Sequence, residues 1–245
     1  MTLEASGISF AYGDKTALTD VSFRLDAGVT ALLGVNGAGK STLLSISAGV
    51  VSPGSGTLRV SSHSLAARRE RRLGLQRVAL MPQHTSFPSN LTALDVVSYL
   101  GWLKGLRMPV AMRRGRECLD AVGLGSRMHH KCGRLSGGMV RRVALAQALV
   151  SNPDVILLDE PSTGLDPEQR RGMVDLIRSL NSTVLLSSHV VEDVEELADR
   201  ILILHDGRLL FDGDQRQLTI GVPHGGRRSR LEEGFLRTIL SEERS

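Results

Sequence analysis

The chain has 245 residues, 41% of them hydrophobic, enough to bury a core in one large domain or two small ones. The formal net charge of +4 comes almost entirely from arginine, since Lys15, Lys40, Lys104 and Lys131 are the only lysines. Aromatic residues make up 3% and none interleaves with the arginine clusters Arg68 to Arg72, Arg113 to Arg116 and Arg227 to Arg230, so these read as solvated faces and no nucleic-acid partner is expected. The longest apolar runs, such as Val155 to Leu158 and Ile201 to Leu204, are strand-sized and far short of the roughly 18 residues of a membrane span. The opening MTLEASGISF has no basic start leading into a long apolar stretch, which argues against a secretory signal and for the cytoplasm. Cys118 and Cys132 have neither metal-ligand nor redox spacing and read as idle or buried thiols.

In chain order, ISFAY (8–12) and VSFRL (21–25) alternate as half-buried antiparallel strands do. VTALLGVNGAGKSTLLSISAGV then supplies an apolar strand, a glycine loop and a helix. Apolar strands recur at Arg77 to Met81, Asp154 to Leu158 and Thr183 to Ser187, each running into polar residues. Their alternation with helices predicts a parallel sheet covered on both faces, with its site at the strands' carboxyl ends. Between Gln83 and Arg134 the texture changes. Thr92 followed by Asp95 resembles a capping box opening a helix through Trp102, and a second helical pattern runs from about Met112 to Val122. LSGGMVRRVALAQAL (135–149) is another helix start, with Ser136 as N-cap, Gly137 and Gly138 allowing close approach, and Val143, Leu145, Ala146 and Leu149 as its apolar face. ILILHDGRLLFDG (201–213) is a hairpin turning at Asp206 and Gly207, and a polar, arginine-rich segment precedes the terminal helix LEEGFLRTIL.

GVNGAGKS, Gly34 to Ser41, matches the P-loop pattern, with a strand before it and a helix after it. Its glycines let backbone N–H groups point at β- and γ-phosphates, and the helix start adds positive potential. Lys40 can bridge those phosphates as a point charge, while the Ser41 hydroxyl can reach Mg²⁺. VILLDE, Val155 to Glu160, is an apolar strand ending in two acids. Beside a P-loop, Asp159 is placed to hold Mg²⁺ through water and Glu160 to orient or deprotonate the attacking water. His189, just after TVLLSS, sits where a side chain can reach a γ-phosphate, and Gln83 ends the strand RVALMPQ; alone, either is as readily a packing or loop residue. The start at Ser136 also attracts anions, so the chain carries a second phosphate site about a hundred residues beyond the first.

Together these motifs resemble the nucleotide-binding domain of the ATP-binding cassette (ABC) family, over nearly the whole chain and in the family's order. The resemblance implies an α/β fold, a P-loop NTPase (RecA-like) core with an N-terminal antiparallel β subdomain and an α-helical insert. It implies an ATP-binding domain over 1–213, with the insert at about 84–150, and a C-terminal polar segment and terminal helix over 214–245. Tyr12 would stack on adenine. Gly34, Asn36, Gly37, Ala38, Gly39, Lys40, Ser41 and Thr42 would hold the phosphates, and Gln83 is the glutamine loop. Ser41, Gln83 and Asp159 would hold Mg²⁺, while Glu160, His189 and Lys40 would carry the chemistry. ATP and Mg²⁺ are the implied cofactors. Two cassettes of this family meet head to tail, so Ser136, Gly137 and Gly138 would act on the ATP of a second ABC ATPase subunit, another copy or a different chain. STGLD (162–166) would lie along that interface, with Asp166 also capping the helix begun by Pro167.

One position departs from the family pattern: the signature reads LSGGM where many members have LSGGQ, so any polar contact of that side chain is absent at Met139. SGGM followed by Arg141 and Arg142, together with LTALDVVSYLGWLKGL (91–106) and LEEGFLRTI, resembles ATPases of drug, antibiotic and lipid exporters. The expectation is an exporter's ATPase subunit at the cytoplasmic face of the cell membrane, attached through a separate transmembrane permease. The alternatives are an importer ATPase and a soluble, non-transport ABC ATPase. A single P-loop argues against a tandem translation factor, and the lack of a long coiled coil argues against a repair ATPase.

Overall fold

The computed structural model describes residues 1–223 and 228–242. β1 (Leu3–Tyr12) and β2 (Lys15–Leu25) form a hairpin, and β3 (Gly28–Leu33) runs through the glycine loop into α1 (Lys40–Ser47). β4 (Ser55–Val60), β5 (His63–Ser64), α2 (Arg68–Gln76) and β6 (Val78–Met81) follow, then α3 (Ala93–Leu103) and α4 (Met108–Ala121). Two short 3₁₀ turns lead to α5 (Gly137–Leu149) and back to β7 (Val155–Asp159). The remainder is α6 (Pro167–Arg178), β8 (Thr183–Ser188), α7 (Val191–Leu197), β9 (Arg200–His205), β10 (Arg208–Gly213), α8 (Gln215–Leu218) and α9 (Arg230–Glu242).

These strands make two sheets. The smaller is antiparallel, in the order β2-β1-β4-β5; the larger runs β10-β9-β3-β8-β7-β6 and is parallel except for its edge strand β10. Because side chains alternate across a strand, the larger sheet feeds two cores. Leu33, Leu158, Leu186 and Ile203 pack on one face with α3 to α7. Leu32, Leu157, Leu185 and Leu202 pack on the other, against α1 and the small sheet. Leu43, Leu44 and Ile46 pin α1 there at no more than 1% exposure, each contributing about 1.5–3 kcal/mol of burial. In register, Leu33 lies beside Ser188, Asp159 beside Ser187, and Met81 beside Leu158. The loops after β3, β6, β7 and β8 therefore leave the sheet at one edge, and that edge holds the site.

The central strands lie within a residue of the expected positions, and the late hairpin turns at Asp206 and Gly207, both left-handed with φ of 45° and 76°. The capping box is present, with Thr92 and Asp95 exchanging bonds at the start of α3. α4 begins four residues before the expected Met112, because Pro109 is tolerated in a first helical turn. β4, β5, α2 and α7 carried no strong sequence signal. Only Leu58 and Val60 of β4 are buried, and α2, RRERRLGLQ, buries Gly74 alone, so neither has an apolar periodicity. The arginines of α2 are not all solvated: Arg71 donates to the carbonyls of Gly49 (2.9 Å) and Leu65 (3.2 Å). Arg114 similarly reaches Val150 at 3.5 Å. Of the polar, arginine-rich segment Pro223 to Arg230, residues 224–227 lie outside the described residues.

Candidate active site

The loop after β3 is shaped by what its glycines avoid. A Cβ on Gly34 would stand 2.4 Å from the Leu204 carbonyl oxygen, and Gly39 combines φ +104° with a Cβ position 2.6 Å from the Ala17 carbonyl. No side chain caps α1, so its first N–H groups remain turned into the loop for an anion. Lys40 is buried, with Nζ donating to the carbonyls of Gly34 (2.7 Å) and Val35 (3.0 Å). Burial lowers its pKa, and the charges of Glu160 and Asp159 oppose that shift. A cavity of about 320 Å³ opens over the loop, lined by Asn36, Gly37, Lys40, Ser41, Thr42 and Tyr12 among others. Tyr12 is half exposed at the tip of β1, held edge-on by Phe10 with ring centroids 4.8 Å apart. Ala38 is buried beneath the loop instead, so it shapes the site without lining the cavity.

At the end of β7 two neighbouring acids are treated differently. Asp159 is buried and accepts a 2.5 Å hydrogen bond from the Ser187 hydroxyl. Glu160, also buried, has φ +49°, an uncommon conformation for a side chain of its kind and one found at functional sites. Its N–H donates to Ser187 Oγ at 3.0 Å, while its carboxylate receives Gln83 Nε2 (2.9 Å) and Thr163 Oγ1 (3.1 Å) and faces His189 Nδ1 (3.1 Å). Burial would raise the pKa of Glu160, but the bond and charge of His189, then Thr163 and Gln83, outweigh it and hold the carboxyl below its usual range. An ionised carboxylate only accepts, so Nδ1 of His189 is the donor in that contact and Nε2 is the nitrogen left for another group. A second cavity, of about 520 Å³, shares Asn36, Gln83 and Glu160 with the first and adds His189, Ser188 and Phe235.

The donors expected to meet a metal are a hydroxyl, an amide oxygen and a carboxylate. Ser41 and Gln83 line the same cavity. Because Gln83 spends its amide nitrogen on Glu160, its oxygen is the end available to a cation. Such an all-oxygen set, completed by phosphate oxygens and water, fits Mg²⁺ rather than a softer ion. Among the described residues no group of three or more His, Cys, Asp or Glu side chains could hold a metal.

Ser136, Gly137 and Gly138 line neither cavity. Ser136 caps α5, accepting from the Met139 N–H at 3.3 Å. It is exposed, and a Cβ on Gly137 would meet nothing within 4 Å. Met139, the departure from the family pattern, turns inward and packs against the core, so it exchanges a polar contact for an apolar one.

Four participants escaped sequence reasoning. Thr163 holds Glu160, and Arg141 donates to the Glu160 carbonyl at 2.8 Å. Asp193, buried in α7, receives both the Ser162 hydroxyl and the Arg170 guanidinium, tying the turn after Glu160 to the helix after His189. Phe235 of α9 reaches the second cavity from the far end of the chain. Arg141, Thr163 and Phe235 lie in stretches the sequence singled out, the arginine pair after LSGGM, STGLD and LEEGFLRTI, but without these roles; Asp193 stood out in none, and all four roles need the fold to bring the residues together.

A glycine loop between a central strand and a helix, two acids closing the next strand but one and an added antiparallel sheet define a P-loop nucleotide-binding ATPase cassette. The ABC transporter family model matches residues 18–163, and the chain belongs to that family as an ATP-binding subunit. It is 36% identical to the linearmycin resistance ATP-binding protein LnrL of Bacillus subtilis, over 88% of this chain and 70% of that protein. It is 37% identical to the Nod factor export ATP-binding protein I of Burkholderia lata, over 82% of this chain and 67% of that one. MJ0796, a bacterial ABC transporter cassette of dimeric structure, superposes with a TM-score of 0.78 at 25% identity, over 86% of this chain and 98% of its own. The same cassette is known as a dimer in a post-hydrolysis state bound to ADP and Pi. Among the described residues no helix is long and apolar enough to cross a membrane.

Proposed function

We propose that this chain hydrolyses ATP to drive an exporter whose membrane-spanning part is a separate polypeptide, and that it works as a head-to-tail pair with a second copy of itself. The observation that carries the hydrolytic part is the grip on Glu160: an ionised carboxylate held by Gln83, Thr163 and His189 on the shared wall of two cavities, one of which contains the glycine loop. Tyr12 carries the adenine. The loop N–H groups and Lys40, released from the carbonyls of Gly34 and Val35, take the β- and γ-phosphates. Ser41, Gln83 and Asp159 would hold Mg²⁺, which would neutralise phosphate charge. Glu160 accepts the proton of the attacking water, and His189 keeps that carboxylate aligned through Nδ1–H while its Nε2–H donates to the γ-phosphate. Ser136 and Gly137, exposed, and Gly138 beside them, all outside both cavities, close over the nucleotide of the partner. Closure then depends on the γ-phosphate, and hydrolysis removes the contact that closed the pair.

The transport part rests on the relatives named for resistance and export, and on a groove of about 480 Å³ between α2 and α3. Leu75, Leu100 and Leu103 form its apolar floor, and Arg68 and Arg72 its rim, with exposed Tyr99 and Trp102 nearby on α3. A cytoplasmic helix of the permease fits such a groove through its apolar face. It would hold the chain at the cytoplasmic face of the cell membrane. The helical insert over about 84–150 would carry that partner, with Gln83 reporting nucleotide occupancy to it. The test is to tag the chain, extract it with its native membranes in mild detergent and identify what co-purifies in near-stoichiometric amount. A polytopic protein supports the reading; ribosomes, nucleic acid or soluble assembly proteins alone would overturn it.

A further inference from the structure

Arg141 and Arg142 are consecutive, yet their guanidinium groups reach opposite neighbours of α5. Arg142 donates to the Val122 carbonyl, at the end of α4, at 3.3 Å. Arg141 donates to the Glu160 carbonyl at 2.8 Å and, more distantly, to that of Pro161 at 3.5 Å. Its partners are carbonyl oxygens rather than a carboxylate, and it is half-buried, so it is no solvated surface charge. The acceptor it meets belongs to the residue with φ +49°, whose own N–H is held by Ser187. The other donor to that carbonyl is the Thr163 N–H, at the longer distance of 3.3 Å. Pro161 follows Glu160 and has no N–H, so it supplies no donor to the turn. An uncommon backbone conformation persists only where the surroundings over-determine it. At Glu160 the shortest restraint from outside β7 and β8 on the main chain is Arg141.

Arg141 lies four residues, about one helical turn, beyond Gly137 on a helix whose Val143, Ala144, Leu145 and Ala146 are all buried. A packed helix of this kind moves as a body. We propose that Arg141 is a positioning residue: it couples the helix start offered to the partner's nucleotide to the backbone of the catalytic carboxylate in its own chain. This rests on the head-to-tail reading above. Binding of ATP in one site thereby sets the geometry of the acid in the other, and the two sites hydrolyse cooperatively.

The experiment compares Arg141→Ala and Arg141→Lys in the full chain, with Glu160→Gln in parallel. Three quantities are read: phosphate release against ATP concentration, affinity for a fluorescent ATP analogue, and melting temperature. Arg141→Ala is expected to lower kcat about tenfold or more, as small misplacements of a catalytic group do, and to reduce the Hill coefficient toward one, with analogue affinity and melting temperature unchanged. Arg141→Lys, keeping a cation that can donate one bond, recovers part of kcat. Unchanged kcat and Hill coefficient in Arg141→Ala would overturn the proposal, as would a kcat loss that follows affinity and melting downward together. If Arg141→Ala does not fold, Arg141→Lys and Arg141→Gln decide by the same readouts, with Gln expected below Lys. Should Glu160→Gln hydrolyse normally, the proposed function itself fails; should it be silent while Arg141→Ala is normal, only the coupling fails.

Discussion

Two helix starts in this chain are built to attract phosphate, and they differ in what surrounds them. α1 begins at buried Lys40 beneath a walled loop, with no side-chain cap to compete for its N–H groups. α5 begins at exposed Ser136, one N–H already satisfied by the capping hydroxyl and open space beside Gly137. The first shares its cavity with a lysine, a serine hydroxyl and a gripped acid; the second lines neither of the two cavities around that acid. α1 thus stands in a walled site and α5 on an open surface, and in the proposed pair the α5 start of one chain closes the α1 site of the other. A third start, at α3, shows what a helix N-terminus looks like without a ligand: Thr92 and Asp95 cap it from both sides.

This contrast breaks at definite points. Glu160→Gln keeps the shape of the acid but cannot take a proton, so phosphate release should fall at least about hundredfold while binding of an ATP analogue persists. Loss of binding as well would mean that the acid shapes the whole site rather than the chemistry. Lys40→Ala removes a charge-assisted contact of about 1.5–3 kcal/mol, so analogue affinity by titration should fall about ten- to hundredfold. Gly137→Asp probes the half-site. Its side chain has room, and a carboxylate in a first helical turn does not harm the helix. It would, however, face the partner's phosphates, so ATP-dependent dimerisation by light scattering and hydrolysis should drop about tenfold, with analogue affinity of the single chain intact. The smallest effect is Thr92→Ala, which should cost about 1 kcal/mol in denaturant unfolding and leave ATP binding untouched. Its partner Asp95 sharpens the point. The bonds from Thr92 hold that carboxyl below its ordinary 3.8. Its contribution to stability is therefore present above that value and lost as the pH falls through its lower folded pKa, a loss Thr92→Ala should blunt.

The sequence disclosed these regions unevenly, for physical reasons. The apolar strands and Ser136 are dictated locally, by patterning and capping requirements that leave a mark within a few residues, and Gly34 and Gly39 are legible because the phosphate loop is a short contiguous motif, although the carbonyls that exclude a side chain there, of Leu204 and Ala17, are distant in sequence. The grip on Glu160 is not local: Gln83, Arg141 and His189 come from three other parts of the chain, and the left-handed backbone of Glu160 has no residue signature, since glycine would be the usual choice there. Asp193 was hidden for the same reason, being one acid among several in VVEDVEEL until the fold sets it against Ser162 and Arg170. The separation of the two helix starts into different surfaces, from which the pairing is argued, likewise appears only in three dimensions.

The most direct test of that pairing mixes two impaired chains. Glu160→Gln retains the start at Ser136 but lacks the base; Gly137→Asp retains the base but has a damaged start. Combined before nucleotide is added, they can form a head-to-tail pair in which one site draws an intact acid from one chain and an intact helix start from the other. The expected result is ATP hydrolysis in the mixture well above that of either chain alone. A mixture no more active than the two separate chains would contradict the claim that a second copy completes the site.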